Sequence, residues 1–330
     1  MKLRLLPLLI AVCATLACKH SVSKFRLQHN KEIDQKLSAD IAEINARAYG
    51  YLQNNDYSSL SDLFSDTLSH SLDNEFSRTF VPQMQKSLQG RKFRVFDEYY
   101  IENPVLDSPI TINGGEGEGA YKFRFQSPNK QTYVSMLLSE DATNEIMVTL
   151  VYGNYDGKWK LNIIRGEDYS IDKKNAIAFY KQAISYRDSG DYVDAINTMW
   201  FATHCANPAG SYMSFNMNEE INKFSDSLSK EIKDIYPLPY TAQQLRNTPH
   251  VFNIRYDLLN STLTPMIMYL TTTGVRDTVK LKSENDDFHR NLGSIFKGMD
   301  KYNKKIIYRV YNQEPVPNTN PPYYGFVEKN

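Results

Sequence analysis

Residues 146–165 read IMVTLVYGNYDGKWKLNIIR. Two β-rich runs flank Asp156-Gly157, a pair that supplies the turn of a hairpin. Three runs of the same kind precede it, at 93–100, 119–126 and 131–139, separated by turn chemistry at Asn113-Gly114-Gly115 and Ser127-Pro128-Asn129. With the hairpin strands 146–155 and 158–165 they predict an antiparallel meander.

Upstream of the strands the period is helical. Ile33, Leu37, Ile41, Ile44, Ala48 and Leu52 recur every three or four residues, which is a helix stripe with a core-facing side. A second helix is expected near 58–69. A third stripe, Phe76, Phe80, Met84 and Leu88, stops at Gly90, the residue type favoured just past a helix end. Helices followed by a meander make the chain an α+β protein.

That order, with Ala48-Tyr49-Gly50-Tyr51-Leu52-Gln53-Asn54-Asn55-Asp56-Tyr57 and the hairpin Tyr152-Gly153-Asn154-Tyr155-Asp156-Gly157-Lys158-Trp159-Lys160-Leu161, resembles a nuclear-transport-factor-2-like cone over residues 31–170. The first phrase resembles the opening helix of that superfamily, where a small-residue turn precedes the second helix. The second resembles its closing hairpin, whose Trp, here Trp159, plugs the sheet. An unrelated α+β sandwich is the other reading. Some cones of this type hold a pocket in which an Asp or His acts as general base, as in ketosteroid isomerase. The resemblance therefore draws attention to Asp97, Glu98, Tyr99 and Tyr100 on the first strand. Alternation points half of them outward, a solvated strand face is the plainer account, and the sequence offers no His or second buried acid to complete the arrangement.

Residues 176–208 resemble one tetratricopeptide unit. Ala183, Ala195 and Ala202 put small side chains where two helices cross, while Phe179, Tyr186 and Met199 fill the gaps. The pattern departs at Gln182 and Asn207. One hairpin cannot build the concave groove of a repeat array, so it is expected to act as a bridge. A further helix over 217–236 carries Ile221, Phe224, Leu228 and Ile232 and ends at Pro237 and Pro239. Beyond it, 251–259 and 265–273 read as paired strands and 278–282 as a short third. A helix bearing Phe288, Leu292, Ile295, Phe296 and Met299, a closing strand over 304–311 and an extended Pro-rich tail over 315–330 follow. The expected organisation is a signal peptide (1–17), a lipidated tether (18–30), a cone-like domain (31–172), a helical bridge (173–240) and a small α+β domain (241–330).

The chain opens with Lys2 and Arg4 and then an apolar run from Leu5 to Ala17, the layout of a secretory signal. As a helix this run reaches about 20 Å, short of a hydrocarbon core about 30 Å thick. Ala14-Thr15-Leu16-Ala17-Cys18 resembles the lipobox read by bacterial signal peptidase II, in the looser form found in Bacteroidota. The resemblance implies cleavage after Ala17 and an acyl anchor on Cys18; Cys13, behind the branched Val12, suits the peptidase poorly. Acyl chains supply about 0.8 kcal/mol per buried CH₂. Lys19 follows the Cys and no acidic cluster lies downstream, which by lipoprotein sorting rules resembles an outer-membrane destination.

Lys2 and Arg4 are the only charged residues of 1–17, so the mature chain keeps 36 of its 38 basic residues against 38 acidic ones. A near-neutral chain excludes a charge-driven nucleic-acid partner. With Cys13 removed and Cys18 acylated, Cys205 is the last thiol, read as a small buried apolar residue.

Motifs of hydrolases, phosphate loops, zinc helices and Cys-x-x-Cys pairs are absent. The glycine-dense Gly114-Gly115-Glu116-Gly117-Glu118-Gly119 precedes a strand instead of opening a helix, so it reads as a hairpin loop. None of the six His residues stands three or four positions from another, and His204 and Cys205 are adjacent and so point apart on a helix; neither a metal nor a cofactor is expected. Tyr99-Tyr100, Tyr308 with Tyr311, and Tyr323-Tyr324 are candidate sugar or peptide contacts, with packing as their commoner use. No catalytic residue is assigned. The expectation is a membrane-anchored envelope lipoprotein that binds a protein or small ligand without catalysis; the alternatives are a glycan-binding accessory of a polysaccharide-uptake system and an enzyme using the cone pocket.

Overall fold

In the computed structural model, which describes residues 24–140, 143–259 and 262–330, Asp34 opens the first long helix by accepting the backbone N–H groups of Lys36 and Leu37. This helix, α1 (Gln35–Gln53), buries Ile41, Ala48 and Leu52 of the predicted stripe, together with Asn45 and Tyr49. Two short helices, α2 (Tyr57–Ser61) and α3 (Asp66–Ser71), stand where the sequence predicts one. A π-helical turn (Phe76–Phe80) leads into α4 (Val81–Leu88), after which Gly90 adopts φ +72°, a left-handed conformation that suits glycine. The expected signal peptide, Cys13 and Cys18 lie outside the described residues.

Strands β1 (Arg26–His29) and β2 (Phe93–Glu102) begin the main sheet, and β3 (Pro109–Gly114) and β4 (Tyr121–Gln126) leave it. β5 (Gln131–Ser139), β6 (Glu145–Tyr155), β7 (Lys158–Ile171) and β8 (Lys174–Asn175) complete it. The order is β1-β2-β5-β6-β7-β8, antiparallel throughout, in a curled half-barrel. Helices α1 to α4 cover one face, where Tyr49, Leu52 and Leu88 join Tyr133, Val148 and Tyr152 in one core. The other face receives the helices α5 (Ala176–Asp188) and α6 (Tyr192–His204) and a second sheet, β3-β4-β9, whose last strand is β9 (Met213–Phe215). Covered on both faces, β5 and β6 read as apolar runs with little alternation.

The expected tether over 18–30 is corrected at its end: β1 pairs with β2 from Arg26↔Glu102 to His29↔Tyr99. An edge strand of four mostly exposed residues is held by backbone hydrogen bonds and leaves no apolar period to read. β3 also escapes the sequence, since its inward residues are only Ile110, Ile112 and Gly114.

The helix α7 (Asn218–Ile235) ends before Pro237. A third sheet then forms from β10 (Tyr240–Thr241), β11 (His250–Leu259), β12 (Thr262–Leu270), β13 (Lys305–Tyr311) and β14 (Tyr323–Lys329), in that order. Residues 278–282, expected as a strand, instead start α8 (Thr278–Arg290), because Asp277 accepts the Lys280 N–H and caps a helix. α8 lies in the crossover between β12 and β13, which are parallel, and buries Leu281 and Phe288 against Tyr269 and Tyr308. Within the tail, 323–329 pairs antiparallel with β13 as β14. Val193 of α6 joins this third core, and Ile232 and Tyr236 pack against it, so α6 and the end of α7 lean on the C-terminal sheet.

Candidate functional site

The four residues singled out on β2 divide between its faces, and neither face is solvated. Asp97, Tyr99 and Tyr100 are all buried. The Asp97 carboxylate accepts from the Tyr121 hydroxyl at 2.5 Å, the Tyr99 hydroxyl at 3.1 Å and Asn30 Nδ2 at 2.9 Å, and His29 Nε2 lies 2.5 Å away. His29 also stacks on Tyr99 with ring centroids 4.6 Å apart. The His that the sequence does not offer is thus supplied by β1, 68 positions from Asp97. Burial pushes the Asp97 carboxyl up, but the hydrogen bonds from Tyr121, His29 and Asn30 outweigh it and leave it below its ordinary value. Desolvation holds Tyr99 and Tyr121 protonated, as donors. A carboxylate already given four partners and kept acidic is a poor proton acceptor, so the cluster is a clamp between strands.

On the other face, Glu98 accepts from Tyr133 at 2.6 Å and Ser38 at 3.1 Å, while Asn45 joins Ser135 at 3.0 Å and Tyr152 at 2.8 Å. Tyr49, Tyr133 and Tyr152 fill the space between α1 and the sheet. Polar groups there satisfy one another.

The sequence did not point to the place where α6 and α7 meet β11. A groove of about 730 Å³ opens there, lined by Val193, Ile196, Trp200, Ile232, Tyr236 and Ile254. Trp200 is 58 % exposed; its edge meets Phe201, and its face stacks on His204 at 4.9 Å and 10°. His204 Nε2 contacts Asp168 at 2.8 Å, and this hydrogen bond raises its pKa above the ordinary histidine value. Lys233 and Arg255 also line the groove, and among the described residues neither takes part in an ion pair. A second cavity of about 410 Å³, between α5 and β12, shares the Phe201 and Tyr256 wall and adds Lys174, Tyr186, Tyr302 and Lys305. Behind that wall the Tyr256 hydroxyl donates to Asp194 at 2.8 Å, and Asn303 Nδ2 donates to the same oxygen at 3.0 Å. Burial raises the Asp194 pKa, against the pull of those two donors.

Cys205 is fully buried, and desolvation pushes its thiol up to about 12. Tyr308 and Tyr311 are buried, as are Tyr99 and Tyr100, so these pairs form no open stacking face; Tyr323 alone among the candidate rings is nearly half exposed. The glycine-dense loop closes on itself: Gly115, at φ +65°, comes so close to the Gly119 carbonyl that a Cβ would stand 2.3 Å from its oxygen. Among the described residues, no group of three His, Cys, Asp or Glu side chains is placed to hold a metal ion. No protein-family model matches the chain, and a search of curated proteins finds no match.

Proposed function

We propose that this chain is an envelope lipoprotein, anchored in the outer membrane through Cys18, that binds an amphiphilic ligand in the groove between α6, α7 and β11. One observation carries the reading: an apolar trough of about 730 Å³ lined by two cations, Lys233 and Arg255, that take part in no ion pair among the described residues, while the one acid of the lining, Asp257, faces Arg309 at 3.8 Å. That volume falls in the range of small-molecule sites, roughly 300–1,000 Å³, which are mostly apolar with a few placed polar groups. The ligand class it fits is an apolar body ending in a carboxylate or phosphate. The absence of catalysis in this reading rests on the saturated Asp97. The helices packed on a curled antiparallel sheet support the likeness to a nuclear-transport-factor-2-like cone, and the full burial of Ala183, Ala195 and Ala202 supports the tetratricopeptide-like hairpin.

Titration with dodecanoate, followed by calorimetry, tests the groove. Saturable binding is expected, abolished by Ile232→Glu and weakened about tenfold by Lys233→Gln with Arg255→Gln. Heat-free titration, or binding indifferent to these variants, overturns the reading. The glycan alternative keeps one observation in its favour, the 58 % exposure of Trp200, whose neighbour His204 is held by Asp168; binding of neutral oligosaccharides lost in Trp200→Ala would select it. The anchor has its own test: Cys18→Ser should lose palmitate labelling and membrane fractionation, and Cys13→Ser should keep both.

A further inference from the structure

The pairing of β1 with β2 ends at Arg26↔Glu102, so Phe25 and Asn103 are the first residues beyond it on the two chains. From Asn103 the chain leaves the sheet in a tight loop. The Asn103 side chain holds that loop, with Oδ1 accepting the Val105 N–H at 3.2 Å and Nδ2 donating to Ser108 Oγ at 2.9 Å. The loop leaves Val105 60 % and Leu106 47 % exposed, and Phe25 is 53 % exposed. Among the described residues, these three large apolar side chains belong to none of the four cores.

Cations are close to them along the chain and the sheet. Lys24, Arg26 and Lys130 are exposed, and the Lys130 carbonyl accepts the Asn103 N–H at 2.8 Å, which fixes it beside the loop. The hairpin tip Asp156-Gly157-Lys158 lies at the same end of the sheet, since Gln131 pairs with Glu102 and Thr132 with Gly153. Acids at this end include Glu102, Asp107, Asp156 and Asp62, of which Glu102 is held by Tyr100 at 2.9 Å and by Arg26 at 3.9 Å.

Phe25 stands seven positions after Cys18. Even fully extended, seven residues span no more than about 25 Å. We infer that the Phe25, Val105 and Leu106 corner seats on the bilayer surface, apolar side chains at the headgroup–acyl boundary and Lys24, Arg26 and Lys130 toward the lipid phosphates. The inference rests on the acylation of Cys18 proposed above. It adds an orientation: the β1 end of the half-barrel faces the membrane.

The test uses the full lipidated chain in vesicles of phosphatidylethanolamine and phosphatidylglycerol. With Cys18 acylated and Cys205 buried, Val105→Cys offers a single reactive thiol for a nitrobenzoxadiazole label; Leu106→Cys serves as a second probe, and Val279→Cys, on the 80 % exposed site of α8, as the control. On vesicles the labels at 105 and 106 should shift to the blue and brighten severalfold, while the label at 279 should not change. Floating protein whose labels at 105 and 106 match the one at 279 overturns the seating and leaves the anchor standing. Protein that fails to float and takes no palmitate overturns the anchor and, with it, the seating.

Discussion

The Tyr121 hydroxyl sits 2.5 Å from one oxygen of the buried Asp97 carboxylate, tying β4 of the small sheet to β2 of the large one through an ionic hydrogen bond. Asp97→Ala takes the acceptor from Tyr99, Tyr121 and Asn30, leaves the two buried hydroxyls only each other as partners, and should cost about 3 kcal/mol. Tyr121→Phe removes one donor and should cost about 1.5 kcal/mol. Urea unfolding midpoints check both, and equal losses in the two variants would contradict the clamp.

Two buried carboxyls respond to pH in opposite senses. Asp97 titrates below its ordinary value in the folded chain, so its stabilisation is present above the unfolded value of 3.8 and disappears as pH falls through the folded one. Asp194 titrates above 3.8, mainly through burial, so its contribution is present below 3.8 and is lost as pH rises through the folded value. Relative to wild type, Asp97→Asn should be destabilised at neutral pH, with the deficit shrinking below about pH 4. Asp194→Asn keeps an acceptor for Tyr256 and Asn303 and should gain about 1 kcal/mol at neutral pH, with the gain vanishing in acid. Denaturation series from pH 3 to 7 separate the two.

Gly114 stands where the rings of the clamp come closest. A Cβ there would lie 2.3 Å from Tyr121 Cζ and 2.4 Å from the Tyr99 hydroxyl, whereas a Cβ on Gly117 would meet nothing, at φ +56°. Gly114→Ala should therefore cost about 3 kcal/mol by overpacking, against about 1 kcal/mol of backbone strain for Gly117→Ala. Melting temperatures of the pair decide it; similar shifts would mean that the loop, and not the rings, sets the requirement.

Trp200 offers an optical report on His204. A protonated imidazole against an indole face quenches its emission, and the hydrogen bond to Asp168 holds His204 above the ordinary value of 6.5. In a Trp159→Phe background the emission should rise with a midpoint above 6.5, and Asp168→Asn should move that midpoint down. A midpoint insensitive to Asp168 would show that the pair does not govern the ring.

The α+β class was legible because turn chemistry brackets the strands: Asp156-Gly157 and Ser127-Pro128-Asn129 sit between runs whose β character does not depend on distant partners. What the sequence concealed depends on such partners. His29 and Asp97 meet only because β1 pairs with β2, and four exposed residues carry no period. The one local sign was an Asp among aromatic residues in Phe96-Asp97-Glu98-Tyr99-Tyr100, an acid that burial obliges to find donors. Thr278-Val279-Lys280-Leu281-Lys282 alternates like a strand, yet Asp277 in front of it is a helix cap, and the cap prevails. The groove was invisible because its walls, Ile196 and Trp200 on α6, Ile232 on α7 and Ile254 on β11, are ordinary apolar residues until three elements converge.

The short edge strand β1 also has a mechanical side. A pull on the chain before Lys24, such as the proposed lipid anchor would exert, loads an antiparallel strand from its free end. Its pairs then open one after another from Arg26↔Glu102 instead of shearing together. Peeling stops where His29 and Asn30 grip Asp97, so the side-chain clamp is the last link to carry tension. Up to that point the strand releases three residues, Arg26 to Gln28, about 10 Å of slack. If Cys18 carries the lipid proposed above, this short run of pairs lets the anchor move while the cores stay unstrained.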